Sequence, residues 1–166
     1  MDIKTVTADI LAWSERFVEV PHPALGGWPP CPFARSARLN KTIQILTGAD
    51  PYFDLRNRAR WGMGQYEVVV YAYDPADWPY SRFNTAIESA NQEFLLARDL
   101  LALEDHPESV EDVNGVVMNQ GQYALVLVQS LSKLNTAATQ MAAKGFYHNW
   151  SEEYLTGLFA HRQDPR

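Results

Sequence analysis

Two strand-length apolar runs, Tyr66–Tyr73 and Tyr123–Gln129, set the tightest limit on what this chain can become. The first is rich in Val and Tyr, residues that fit a pleated, half-buried surface. The second is a short continuous apolar run of the kind expected for a fully buried strand. A third segment, Lys41–Thr47, alternates Ile43 and Ile45 with Thr42 and Gln44, the period-two pattern of a strand. Amphipathic helical patterns separate these runs, and no long all-β stretch occurs. The chain is therefore expected to form an α/β (α+β) sandwich, with a small mixed sheet of three to five strands flanked by N- and C-terminal helices.

The helical segments follow from spacing and punctuation. Thr5–Val18 repeats Ile10, Leu11, Trp13, Phe17 and Val18 at helical intervals, with Thr5 or Thr7 as the expected cap. Pro21–Pro30 holds four prolines and Gly26-Gly27 and must be a loop. Pro32 suits a first helical turn, which predicts a short helix to about Leu39. Asp54–Trp61 reads as another short helix, closed by Gly62-Met63-Gly64. Ser81–Leu101 reads as the longest helix, with Phe83, Ile87, Ala90, Phe94, Ala97 and Leu101 as its apolar stripe. Leu100–Leu103 can switch to a strand, and Asn114-Gly115 and Gly121 are turn signals. Leu131–Ala143 is helical, with Gly145 positioned for a left-handed cap. Ser151 starts a last helix running to about His161. With no repeat or linker, residues 1–166 are read as a single domain.

Charge narrows the function. The chain of 166 residues carries a formal net charge of −6, which disfavours nucleic acid as a partner because that binding needs a basic footprint. The charge is uneven. Arg35 to Arg60 holds six basic residues against two acidic ones, whereas Glu67 to Asp112 holds eleven acidic against two basic. Two solvated faces explain this pattern, and so does an anion site near the basic segment. No apolar run approaches the roughly 20 residues that span a bilayer, so no membrane association is expected. The first residues lack a signal-peptide pattern, and a single cysteine cannot form an internal disulfide. Both features lead to the expectation of a reducing, cytoplasmic setting.

That cysteine, Cys31, stands in Pro29-Pro30-Cys31-Pro32-Phe33-Ala34-Arg35. At the start of a helix, free amides and the helix dipole favour the thiolate and can bring a thiol from about 8.5 toward neutrality. Arg35, one turn on, would add to this. A buried cysteine serving as a small hydrophobe fits the same sequence. The string Cys31 to Leu39 resembles the cysteine site of omega-like glutathione transferases and monothiol glutaredoxins. That resemblance implies a mixed disulfide with glutathione at Cys31. The chain departs from the thioredoxin-like pattern in placing the Pro21–Pro30 loop, not a strand, before the cysteine. A wider resemblance covers the N-terminal helix with Trp13, the Cys-Pro-Phe-Ala box, Asn114-Gly115-Val116, Gln122–Gln129 and Gly145–Trp150. It is to an uncharacterised family of bacteria, marine cyanobacteria and their viruses. It implies a shared fold and carries no activity.

Other chemistry is sparse. His22, His106, His148 and His161 are dispersed, with no ligand-spaced pair. His106, beside Asp105, is the best acid–base candidate and would form a nucleophile–base pair if the fold brought it to Cys31. A metal site would need distant residues such as His22, Cys31 and His106. Phe146–Trp150 is either a small core or a stacking surface, and Trp28 and Trp61 would line a pocket if both flanked the cysteine loop. Dinucleotide, phosphate-loop and nucleophile-elbow motifs are missing. The leading expectation is a thiol-dependent protein of redox or glutathione type. Cys31 and His106 would act, and Arg35, Arg38, Trp28 and Trp61 would hold a small anionic ligand such as glutathione. The alternatives are a non-catalytic adaptor that binds a protein partner, and a metal binder that uses Cys31 with histidines.

Overall fold

The computed structural model describes all 166 residues. Six α-helices are α1 (Ile3–Trp13), α2 (Ala34–Leu39), α3 (Pro51–Trp61), α4 (Tyr80–Ala90), α5 (Leu131–Ala143) and α6 (Glu152–Leu158). Six strands are β1 (Ile43–Thr47), β2 (Val68–Tyr73), β3 (Leu100–Asp105), β4 (Asp112–Val113), β5 (Val116–Val117) and β6 (Ala124–Ser130). Four strands form a mixed sheet in the order β1-β2-β6-β3. β1 pairs parallel with β2, and β6 runs antiparallel to both β2 and β3. The two runs that looked most buried are therefore the two central strands. The expected α/β sandwich with a small mixed sheet is the fold observed.

Helices cover both faces of this sheet. On one face Val69, Tyr71 and Tyr73 of β2 and Ala124, Val126 and Val128 of β6 meet Leu55 of α3 and Phe83, Ile87 and Ala90 of α4. On the other, Val70, Ala72 and Leu125 meet Val6 and Ile10 of α1. The N-terminal helix thus packs on the sheet as expected. Both C-terminal helices build a smaller cluster of their own from Ala138, Leu155 and Phe159, roofed by Tyr147 and Trp150. No helix is long and apolar enough to cross a membrane.

Local chemistry explains the boundaries. α1 is capped by Asp2, whose carboxylate accepts from the Thr5 amide at 2.9 Å, so the cap lies before the threonines expected to supply it. α3 starts three residues earlier than Asp54. Asp50 accepts from the Phe53 amide, and Pro51 occupies the first turn, where its missing N–H costs nothing. Asn114 and Gly115, both at positive φ, close the β4–β5 hairpin as a tight turn. Gly145 adopts the left-handed conformation after α5, as its position predicts.

The longest expected helix is interrupted. After α4 the chain widens into one π-helical turn, Asn91–Leu95, then a 3₁₀ turn, Leu96–Arg98, before β3 begins at Leu100. A π turn inserts one residue into the helical phase. Buried positions after Ala90 become Asn91 and Leu95, while Phe94 is only half-buried and Ala97 is exposed. Asn91 uses its burial well. Its side chain donates to the Ala102 carbonyl at 3.0 Å and accepts from the Ala102 amide at 2.9 Å. A side-chain amide thereby stands in for a fifth strand along the β3 edge, which an open sheet would leave unpaired.

Candidate functional site

The sequence singles out the Cys31 loop. No strand precedes Cys31, and β1 starts only at Ile43. The Cys31 amide donates to Val18 at 3.1 Å, which ties the loop to the end of the first helix. Cys31 is half-buried, and the lost solvation pushes the thiol above its ordinary value. The amides of Phe33 and Ala34 pull it down, and the Glu19 carboxylate pushes it further up. The expected thiolate stabilisation is thus outweighed by lost solvation, and the charge that reaches the sulfur is a carboxylate, not Arg35. Arg38 is committed elsewhere. Its guanidinium donates to both Glu19 oxygens, at 2.8 and 3.0 Å, and its third nitrogen lies 2.6 Å from Glu15. Arg35 is exposed and outside every ion pair.

His106 is fully buried against Tyr80 and Phe83. Its Nδ1 accepts from the Glu108 amide at 3.1 Å, so Nε2 carries the proton and donates to the Trp78 carbonyl at 2.9 Å. Both ring nitrogens are spent on backbone, which leaves none for proton transfer. Around it lie three carboxylates. Asp105 accepts from Asn119 and Gln120, and Glu111 accepts from the Tyr154 hydroxyl at 2.7 Å. Oε2 of Glu104 is buried without a partner. Burial raises all three above the usual carboxylate range, and Glu104, which also faces Glu111, is pushed up to about 7. No three His, Cys, Asp or Glu side chains converge in a way that could hold a metal ion.

The aromatic C-terminal segment is mostly internal. Phe146 is buried and meets Trp28, Tyr147 and Trp150 within 4.9–5.7 Å between ring centres. Trp28 borders a shallow groove of about 500 Å³ with Lys144, His148 and Asn149. Trp61 stands elsewhere, 76% exposed at the end of α3, with the Arg60 guanidinium 5.4 Å from its ring centre. The two tryptophans expected to flank one loop serve different surfaces.

A second groove, of about 430 Å³, lies on the outer side of the helical layer. α3 supplies Phe53, Arg56, Asn57 and Arg60 at helical spacing, and the irregular turns after α4 supply Phe94 and Arg98. Tyr52 fixes its apolar floor. Its ring packs edge-on to Phe53 at 5.7 Å and to Phe94 at 5.4 Å, and its hydroxyl donates to Glu93 at 2.5 Å. Arg56, Arg60 and Arg98 take part in none of the five ion pairs, and Arg98 donates to the Phe94 carbonyl at 3.2 Å. Arg58, on another side of α3, is consumed internally by Tyr71, Gly62 and Gln44. Of the basic segment seen in the sequence, Arg56 and Arg60 face this groove, joined by an arginine from the acidic segment. The sequence reading missed the site because it began the helix at Asp54, excluding Phe53, and placed Phe94 in the core. A helix started at Pro51 puts Phe53, Arg56 and Arg60 on one face.

Such a groove can hold carboxylate or phosphate through forked guanidinium contacts while an apolar group rests on the two phenylalanines. No protein-family model, no curated protein and no solved structure matches this chain.

Proposed function

We propose that this protein is a non-catalytic binding domain that engages an anion-bearing partner on the outer face of α3. One observation carries the reading. Three guanidiniums without carboxylate partners converge over a fixed aromatic floor, on a chain whose net charge is −6. Of the ten arginines only Arg38 and Arg166 form ion pairs, so what sets these three apart is their meeting on one aromatic-floored groove. Arginine and exposed aromatics together are also the composition that dominates binding surfaces. The thiol-dependent reading has weaker support. The environment of Cys31 favours the protonated thiol, and Arg38 and His106 are already occupied.

The reading is tested with citrate as a small polycarboxylate probe. A ligand that binds only the folded state raises stability by RT ln(1 + [L]/Kd), about 1.4 kcal/mol at ten times Kd. Thermal unfolding with about 10 mM citrate should therefore raise the midpoint by a few degrees in the wild type. The R56Q/R60Q/R98Q variant should show a much smaller rise. Equal rises in both proteins would remove the groove as the anion site.

A further inference from the structure

We propose that the occupant of this groove is an acidic segment of another protein that carries one large apolar side chain. This deepens the preceding reading and rests on it. The groove has two unlike halves. Arg56, Arg60 and Arg98 form a cationic rim, and none has a carboxylate of its own. Phe53, 57% exposed, and Phe94 form an apolar floor. A bare anion would satisfy the rim and leave the floor wet. A purely apolar segment would bury unpaired guanidiniums, which is costly. Only a ligand carrying both kinds of group satisfies the whole surface.

Size and surroundings select the ligand further. A groove of about 430 Å³ accommodates one large side chain and its neighbours, and is open enough for a chain to enter and leave. Trp61, next to Arg60 and about 12 Å along the helix from Phe53, offers a second exposed apolar contact outside the groove. A nucleic-acid backbone is disfavoured by what lies outside the rim. Glu93 lies against Tyr52, and Asp99 follows Arg98 directly. A strand bearing a phosphate at every nucleotide would run onto these carboxylates. A peptide can place its charges only where the arginines are. Arginine meets carboxylates in a two-pronged geometry, so aspartate and glutamate side chains fit the rim as well as steering the encounter.

The test is an array of 12-residue peptides in which the number of acidic residues runs from zero to six and the central residue is Ala, Leu, Phe or Trp. Phosphoserine peptides and oligothymidylate are included as competing probes. Binding should require both features: peptides with four or more acidic residues and a central Phe, Leu or Trp should bind at least tenfold more tightly than the same peptides with a central Ala. In R56E/R98E this binding should fall at least tenfold. In Phe53→Ser, at a position 57% exposed, with folding checked by circular dichroism, the advantage of the central apolar residue should shrink while the charge dependence persists. Equal binding of central-Ala peptides, or tighter binding of phosphoserine peptides or oligothymidylate, overturns the proposal. If no peptide binds while citrate still stabilises the wild type over the triple glutamine variant, the proposal fails and the anion-binding reading stands. If citrate also fails, both fall.

Discussion

Glu104 shows how a single residue sets a measurable property of this molecule. One of its carboxylate oxygens is buried without a partner, and burial together with Glu111, Asp105 and Glu88 pushes its pKa up to about 7 while Tyr80 holds it down. A carboxyl whose folded pKa lies above its ordinary value is destabilising once ionised. Its contribution is therefore most favourable below about pH 4.5, and stability is lost as pH rises through about 7. Glu104→Gln removes that loss. The shift alone corresponds to about 3 kcal/mol, which partial solvation reduces to on the order of 1 kcal/mol. Urea midpoints of the variant and the wild type should coincide near pH 4 and separate in the variant's favour by pH 8; parallel curves would contradict this. At Cys31 the direction is the same for the same two reasons: lost solvation and a neighbouring carboxylate, Glu19, favour the protonated thiol. Alkylation of the folded protein at pH 7.5 should run slower than that of an unhindered thiol and speed up on unfolding. Rapid alkylation of the native protein would return the thiol to the centre of the account.

Among the elements, the segment after α4 carries the most information. Its apolar stripe is visible in the sequence up to Ala90 and misleads beyond it, because the π turn advances the phase by one residue. The reason is polar. Asn91 must reach both the amide and the carbonyl of Ala102, and an uninterrupted helix would have kept Phe94 inward instead. Asn91→Ala should leave two buried backbone groups without partners and cost about 2–4 kcal/mol in urea unfolding. A loss under about 0.5 kcal/mol would mean that the β3 edge is held by something else. β1 ends at a second tight constraint. A Cβ on Gly48 would run into the Tyr73 ring, which is nearly fully buried. Gly48→Ala should accordingly destabilise by about 1–3 kcal/mol through overpacking. β2, β6, α5 and the hairpin turn at Asn114-Gly115 were legible because propensity, period and turn chemistry agree there. α3 was legible only in part, since Pro51 reads equally as the end of a strand and as the first turn of a helix.

For the whole molecule, the layered arrangement was readable and the working surface was not. Helices on both sides of a mixed sheet follow from the order of periodic segments, whereas the groove depends on a meeting of residues 41 positions apart, such as Tyr52 and Glu93. The uneven charge hinted at an anion site near the basic segment. Which arginines reach the groove was decided by partners that only the fold supplies: Glu15 and Glu19 take Arg38, and Tyr71, Gly62 and Gln44 take Arg58. On a chain of net charge −6, which argues against nucleic acid, three guanidiniums without carboxylate partners in one groove are the feature on which the proposed ligand site rests. The most direct measurement is an NMR titration with citrate that follows the Nε–H signals of every arginine at once, since it compares the groove with the Cys31 loop in one sample. The account predicts shifts in Arg56, Arg60 and Arg98 that saturate together and weaken with added salt, while Arg35 and Arg38 stay in place. Saturating shifts at Arg35 and Arg38 with the groove arginines unmoved would contradict it and place the binding surface at the cysteine loop.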